Sequence, residues 1–177
     1  PSNALMWIGL NLLFFRVLPG YMESTMNRID GQPLIEVGPE AKALHQSLNV
    51  VDLHSDTLMW DRELTEPSNR GHEDLPRLIA GNVALQVFSS VTKTPKGLNY
   101  DANDSHSDVL PALLMAQGQP RRTWFGLLER SLFHAHKLDV SVSLSNGMLR
   151  KVTDRYGLDQ LLAARATPGG PVGALLS

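Results

Sequence analysis

Cysteine is absent from this sequence, and basic residues are not in excess. Without cysteine the chain forms neither disulfides nor thiolate metal sites, so any metal has to be held by histidine and carboxylate side chains. The formal net charge of -2 and the pI near 6.3 provide no positive field that would attract phosphates. We therefore expect no nucleic acid partner.

The composition is otherwise that of a globular domain. The chain has 177 residues, of which 42% are hydrophobic and 19% charged, and these supply enough apolar side chains for one core. Residues 1–4 resemble the remnant of a cleaved expression tag. An anchor-like apolar helix is predicted at 5–22, a polar connector at 23–38 and the folded domain at 39–177.

The segment from Leu5 to Leu18 is apolar but contains one charge, Arg16, and Pro19-Gly20 is expected to end it. A full membrane span needs about 20 apolar residues. Three interpretations fit: the remainder of an N-terminal membrane anchor, an interfacial helix, and a buried core helix. We favour the anchor because no small-residue cleavage site follows and the next stretch is polar.

Strand-like apolar runs alternate with helical patterns in the rest of the chain, which predicts an α/β fold with a parallel sheet. The strands are predicted at Val50–Asp56, Asn82–Thr92, Met148–Thr153 and Val172–Leu176. The helices are predicted at Pro39–Leu48, from His72 until Gly81 ends it, and at Val109–Ala116, Thr123–Val142 and Asp154–Ala166. No phosphate-binding glycine loop follows the first strand, which favours a (β/α)₈ barrel over a doubly wound sheet. A barrel needs about 250 residues, so about four strands predict the N-terminal part of a larger protein.

His54 and Asp56 lie two residues apart at the end of the first strand. Side chains on a strand alternate with a period of two, so Asp52, His54 and Asp56 share one face. Imidazole nitrogen and carboxylate oxygen are ligands that suit zinc. Taken alone, the short pattern favours a strand end whose polar residues cap the following turn over a metal site.

Two further stretches carry polar residues of interest. His72 and Asp74 repeat the His-x-Asp spacing, but Pro76 and the helix that follows favour a helix cap over a second metal site. The loop from Lys93 to Ser107 is long, and loops of this length are commonly functional. It follows the second strand, so Tyr100 or Asn99 is a candidate for lining a substrate pocket.

Three motifs in order resemble the opening of the membrane dipeptidases, also called renal dipeptidases. They are Val51-Asp52-Leu53-His54-Ser55-Asp56, Gly71-His72-Glu73-Asp74-Leu75-Pro76-Arg77-Leu78, and Gly81-Asn82-Val83-Ala84-Leu85-Gln86-Val87-Phe88-Ser89. The resemblance runs from about Pro39 to Ser177. It implies a (β/α)₈ barrel and a two-zinc site, in which a metal-bridging hydroxide hydrolyses dipeptides.

By this resemblance His54 and Asp56 match the first two zinc ligands. The bridging Glu of the family stands just after a strand of the type Val172–Ser177, so it and the later ligands are expected beyond Ser177. With His54 and Asp56 alone, this chain supplies half of the ligand shell of one zinc ion. The resemblance therefore does not imply that this chain is active by itself. The catalytic residues are likewise expected beyond Ser177.

The resemblance and the apolar N-terminus together predict a membrane-anchored metallodipeptidase on the periplasmic side. Its expected substrate is a dipeptide or small peptide, and a homodimer is a candidate assembly. Two alternatives stay open. One is another metal-dependent barrel hydrolase of the amidohydrolase type, although such enzymes commonly open with His-x-His, against which Asp56 counts. The other is a catalytically incomplete, anchored binding module.

Overall fold

The structure is a computed structural model that describes residues 2–31, 35–165 and 169–177. The chain forms two compact units, which we call the helical unit (Pro1–Arg28 and Val91–His134) and the sheet unit (Ile29–Ser90 and Ala135–Ser177). Three predictions fall in part outside the described residues: the tag remnant at Pro1, the connector at 32–34, and the helix end and turn at 166–168.

Helices and strands alternate through the sheet unit and its connections. In chain order the elements are α1 (Ser2–Leu12), a π-helical segment (Leu13–Val17), α2 (Leu18–Met26), α3 (Pro39–Ser47), β1 (Val50–Ser55), a 3₁₀ turn (Thr57–Met59), α4 (Leu75–Ala80), β2 (Val83–Phe88), α5 (Leu110–Ala116), a 3₁₀ turn (Arg121–Thr123), α6 (Leu127–Leu144), β3 (Leu149–Lys151), α7 (Arg155–Ala164) and β4 (Val172–Leu176). Each predicted helix and strand is present, with β2 and β3 shorter than expected and α6 beginning later.

The four strands form one parallel sheet in the order β1-β2-β4-β3. The predicted α/β class and the predicted parallel pairing are therefore confirmed. In the first four strands of a barrel, consecutive strands would be neighbours. Here β3, a strand of three residues, pairs with β4 at the sheet edge, so β4 rather than β3 follows β2.

β1 is the other edge of this sheet, and its residues 51–54 are exposed on both faces. Leu53 leaves 74% of its surface open to solvent, and Val51 is exposed as well. The apolar pattern gives the strand its β-conformation, but burial depends on what packs against it. Only β2 pairs with β1 within the described residues.

The core of the sheet unit lies where α4, α6 and the turn after β1 pack on the strands. Its buried members are Leu58, Leu64, Leu75, Leu78, Phe88, Leu138, Leu149, Val172 and Ala174. Gly173 in β4 lets α7 approach closely, since a Cβ there would stand 2.4 Å from Leu161 Cδ2 and 2.6 Å from Leu85 Cδ1. This packing fixes β2 and β4 in the middle of the sheet.

In the helical unit, α1, the π-helical segment and α2 form one continuous helix. It does not end at Pro19-Gly20 as the sequence predicts, but runs to Met26 and takes in the start of the expected connector. Pro19 lies in the first turn of α2, just after the π-helical segment, where a missing N–H costs little. By length and composition Asn3–Met26 is able to cross a membrane, so it suits a signal sequence or an anchor.

Arg130 ties together both ends of the long loop that carries Tyr100. Its buried guanidinium donates to Thr92 O at 2.6 Å and to Asp108 Oδ2 at 2.6 Å, and also to Thr123 O at 2.7 Å. Burial raises the pKa of Asp108, but the hydrogen bond from Arg130 and two from backbone amides outweigh it, and the pKa ends below its usual value. The loop is thus closed by a charged pair rather than by apolar packing.

Replacing Arg130 with Met is expected to lower the free energy of unfolding of the helical unit by about 3–5 kcal/mol, because Asp108 then keeps a half-buried charge without its partner. The matched change Arg122→Met removes an exposed pair with Glu129 and is expected to cost about 0–1 kcal/mol. Denaturant unfolding followed by amide hydrogen exchange in residues 92–130 measures both. Equal losses in the two variants would contradict this interpretation.

Candidate functional site

The carboxyl ends of three strands meet at one rim of the sheet. Beyond the regular pairing, Ser89 N donates to Ser55 O at 2.7 Å, Ser177 N donates to Phe88 O at 2.9 Å, and Ser90 N donates to Ser177 O at 3.0 Å. These bonds carry the parallel register past the ends of β1, β2 and β4. In parallel α/β sheets, ligands bind outside this carboxyl edge.

His54 and Asp56 lie at this rim with side chains that converge. β1 ends at Ser55 and Asp56 already has turn geometry, so the strand alternation from which the shared face is predicted does not extend to Asp56. His54 Nε2 is 3.1 Å from Asp56 Oδ1, and the two side chains are 70% and 48% exposed. Asp52 Oδ1 accepts the main-chain N–H of His54 at 3.1 Å, which fixes the backbone just before the pair. The imidazole and the carboxylate are therefore accessible and already adjacent.

The separation of these two groups fits the donor geometry of one zinc ion. Zinc binds imidazole nitrogen and carboxylate oxygen at about 2.0–2.2 Å, so two ligands of a tetrahedral ion lie about 3.4 Å apart. The observed 3.1 Å needs a shift of a few tenths of an ångström. The described parts of the chain contain no group of three or more His, Asp or Glu side chains arranged to hold a metal ion.

Tyr100 and Asn99 belong to the helical unit. The Tyr100 side chain is fully exposed. Asn99 Oδ1 accepts the N–H groups of Asp101 and Ala102, which shapes the tip of the loop. The role of Tyr100 in substrate binding stays a prediction.

Asp74 caps α4, as the sequence analysis favours. Its carboxylate accepts Arg77 N and Ser68 N, both at 2.9 Å, and Arg77 Nε at 2.8 Å. Burial raises the pKa of Asp74, but these hydrogen bonds and the Arg77 charge bring its pKa below the usual value. With its oxygens committed to these donors, Asp74 serves the fold, and His72 beside it is exposed.

Glu73 is the residue at this site that the sequence analysis does not single out. Its side chain hydrogen-bonds the Ser55 hydroxyl, directly between His54 and Asp56, while Oε1 is buried without a hydrogen-bond partner. The pKa of Glu73 is raised to about 7, mainly by burial and to a smaller extent by the charges of Asp52 and Asp74, against the opposing effects of Ser55 and Arg62. No local pattern signals this, because the burial arises from loop packing.

A short chain of hydrogen bonds connects Glu73 through the Ser55 hydroxyl to the backbone of Thr57, the residue after Asp56. Thr57 N donates to Ser55 Oγ at 3.3 Å, so the Ser55 hydroxyl bridges across Asp56. Arg62 Nη2 donates to Thr57 Oγ1 at 3.3 Å, and Arg62 Nη1 donates to Arg70 O at 2.8 Å. The turn that carries Asp56 is therefore fixed from behind by polar groups of residues 62–73.

Lys137 of α6 is a second buried ionisable group in this region. Its Nζ donates to Leu58 O at 2.9 Å and to Trp60 O, and so holds the 3₁₀ turn that follows Asp56. Burial lowers the pKa of Lys137 to about 8, partly opposed by the charges of Asp61 and Glu63. The amine caps main-chain carbonyls and stabilises the turn.

Comparison with known proteins gives no match. No family model, curated protein or solved structure matches this chain.

We predict that Glu73 makes the stability of the sheet unit pH-dependent. Its folded pKa of about 7 lies above the ordinary 4.5, so the folded chain binds this proton more tightly than the unfolded chain does. The free energy of unfolding should then fall as pH rises from about 4.5 to 7 and level off above 7. Glu73→Gln should flatten this dependence and stabilise the protein at pH 8 by on the order of 1–2 kcal/mol.

Thermal unfolding across this pH range, followed by near-UV circular dichroism, tests the prediction. Glu66→Gln is the matched control because Glu66 is an exposed glutamate in the same loop. Parallel pH curves for the wild type and the Glu73 variant would show that the buried carboxyl does not titrate in this window.

Proposed function

We propose that this chain carries the first part of a zinc dipeptidase site, in which His54 and Asp56 are two ligands of one zinc. The observation that carries the proposal is the 3.1 Å approach of His54 Nε2 to Asp56 Oδ1 at the carboxyl rim of a parallel sheet. Both groups are exposed, so an ion can reach them. The order of the three motifs, which resembles the membrane dipeptidases, supports the same function.

In this site His54 would supply a neutral imidazole nitrogen and Asp56 a carboxylate oxygen. Binding a cation would replace their direct contact, since both donor atoms face the same point. Ser55 and Glu73 would hold the intervening backbone, so that the two ligands keep their relative position. Zinc, when bound, polarises a peptide carbonyl and activates water for hydrolysis. Further ligands are needed, because zinc takes about four.

A (β/α)₈ barrel is the fold that this function requires by the resemblance. The parallel sheet and the site at the carboxyl ends of its strands support this proposal. The exposed edge and faces of β1 also support it, since a barrel would pair this strand on its free side. In a regular barrel β3 would lie between β2 and β4, but here it lies at the sheet edge. In the proposed barrel this short strand is therefore not one of the regularly ordered strands.

A dipeptide or small peptide is the proposed substrate. Two rival functions remain testable alongside it. A barrel hydrolase of the amidohydrolase type would act on cyclic amides or lactones. A non-catalytic anchored module is favoured by one observation, namely that the described residues group no third metal ligand with His54 and Asp56.

Changing His54 to Ala or Asp56 to Ala is expected to lower zinc affinity and dipeptide hydrolysis by more than about 100-fold, since each change removes a direct ligand. The assay uses the full-length protein with a panel of dipeptides and cyclic amides, and isothermal titration with zinc measures affinity. His106→Ala is the control, because His106 also stands in a His-x-Asp sequence but lies in an exposed loop.

Each outcome separates the candidates. Loss of zinc and of dipeptide hydrolysis in the two rim variants, with His106→Ala unchanged, supports the dipeptidase. Turnover of cyclic amides but not dipeptides identifies the amidohydrolase alternative. A zinc-free protein with no hydrolytic activity sinks both enzyme proposals and leaves the binding module.

A further inference from the structure

The N-terminal half of the long apolar helix has no polar face. Consecutive side chains from Leu5 to Ile8 cover a whole turn, and all of them are exposed, as are Leu10, Leu12 and Leu13. A helix that is apolar around its whole circumference is suited to surroundings that are apolar on every side. A groove on a protein would cover only one face.

The second half of the same helix is already packed within the helical unit. The π-helical segment and α2 contact α5, whose Leu113 and Leu114 are buried. Leu18 and Met22 are partly buried, while Tyr21 is 64% exposed. The second half of this continuous helix therefore packs on α5 within the folded unit, whereas the side chains of its first half are exposed.

Charge divides the helix at nearly the same place. Arg16 is the one charged residue between Leu5 and Met22, and the first acidic residue is Glu23. Arg16 lies in the π-helical segment, at the junction of the two halves. Asn11, the polar amide of the first half, donates to Trp7 O at 2.8 Å, which lowers the cost of placing it in an apolar medium. A cation at the end of an apolar segment complements the anionic headgroups of a bilayer.

We propose that Leu5–Leu13 enters a lipid bilayer while Phe14–Asn27 stays with the helical unit, with Arg16 at the headgroup level. This differs from an anchor that extends through Leu18, because α5 would have to follow Leu18 and Met22 into the lipid. The inserted segment would be about 14 Å long, roughly half of the hydrocarbon thickness of about 30 Å. The proposal is independent of the zinc site.

The absence of cysteine allows a direct test by single labelling. Leu10→Cys, Tyr21→Cys and Leu98→Cys place an environment-sensitive fluorophore at three exposed positions of the helical unit. With phosphatidylcholine–phosphatidylglycerol vesicles, we expect a blue shift and quenching by chain-brominated lipid at position 10, with neither effect at positions 21 and 98. Embedding at both 10 and 21 would overturn the boundary, and no shift at 10 would overturn lipid binding.

A matched pair of substitutions provides an independent readout. Leu10→Asp is expected to lower vesicle partitioning by about a hundredfold, because a carboxylate is costly within the bilayer. Tyr21→Asp should leave partitioning unchanged, and circular dichroism should show both variants folded, since both side chains are exposed. Arg16→Gln should weaken binding to the anionic vesicles about fivefold and leave binding to neutral vesicles unchanged.

Equal effects of the two aspartate substitutions would overturn the proposed boundary. If Arg16→Gln had no effect on either kind of vesicle, the headgroup position of this residue would be wrong. If the wild type self-associated without binding vesicles, the exposed segment Leu5–Leu13 would contact a second copy of the chain and not lipid.

Discussion

The shared carboxyl rim of β1, β2 and β4 is the constraint on which the candidate site depends. A strand that pairs in parallel with its neighbour ends at the same edge, and the bonds from Ser89, Ser90 and Ser177 continue that alignment past the last paired residues. His54 and Asp56 thus stand beside the ends of the two central strands. A slip of one residue in β1 would turn both side chains to the other face.

The rim is stabilised from behind by polar groups as well as by apolar packing. Residues 57–74 have little regular structure, and their order depends on buried or half-buried charges: Asp74 with Arg77, Arg62 with main-chain oxygen, and Lys137 with the carbonyls of the 3₁₀ turn. Such groups need complete pairing to be tolerated. Glu73 is the exception, and it retains its proton more readily as a result.

The N-terminal helix and β1 present the same physical problem in different forms. Both have apolar side chains that the described chain does not cover. For the first half of the helix, exposure on all sides and the position of Arg16 are the basis of the proposed contact with lipid. For β1, an open edge with unpaired main-chain groups is typical of a strand that is completed by another strand. Burial is thus a property of the complete assembly, whereas the secondary structure is local.

The sequence by itself determined the alternation of helices and strands and the parallel sheet, because these follow from side-chain periodicity and chain connectivity. It placed His54 and Asp56 at one strand end, but the turn that begins at Asp56 sets how their side chains meet. It also predicted the cap at Asp74. Only the tertiary structure decided the edge position of β3, the exposure of β1 and the buried carboxyl of Glu73. These depend on which surfaces pack together across long separations in the chain, and no local pattern of residues records that.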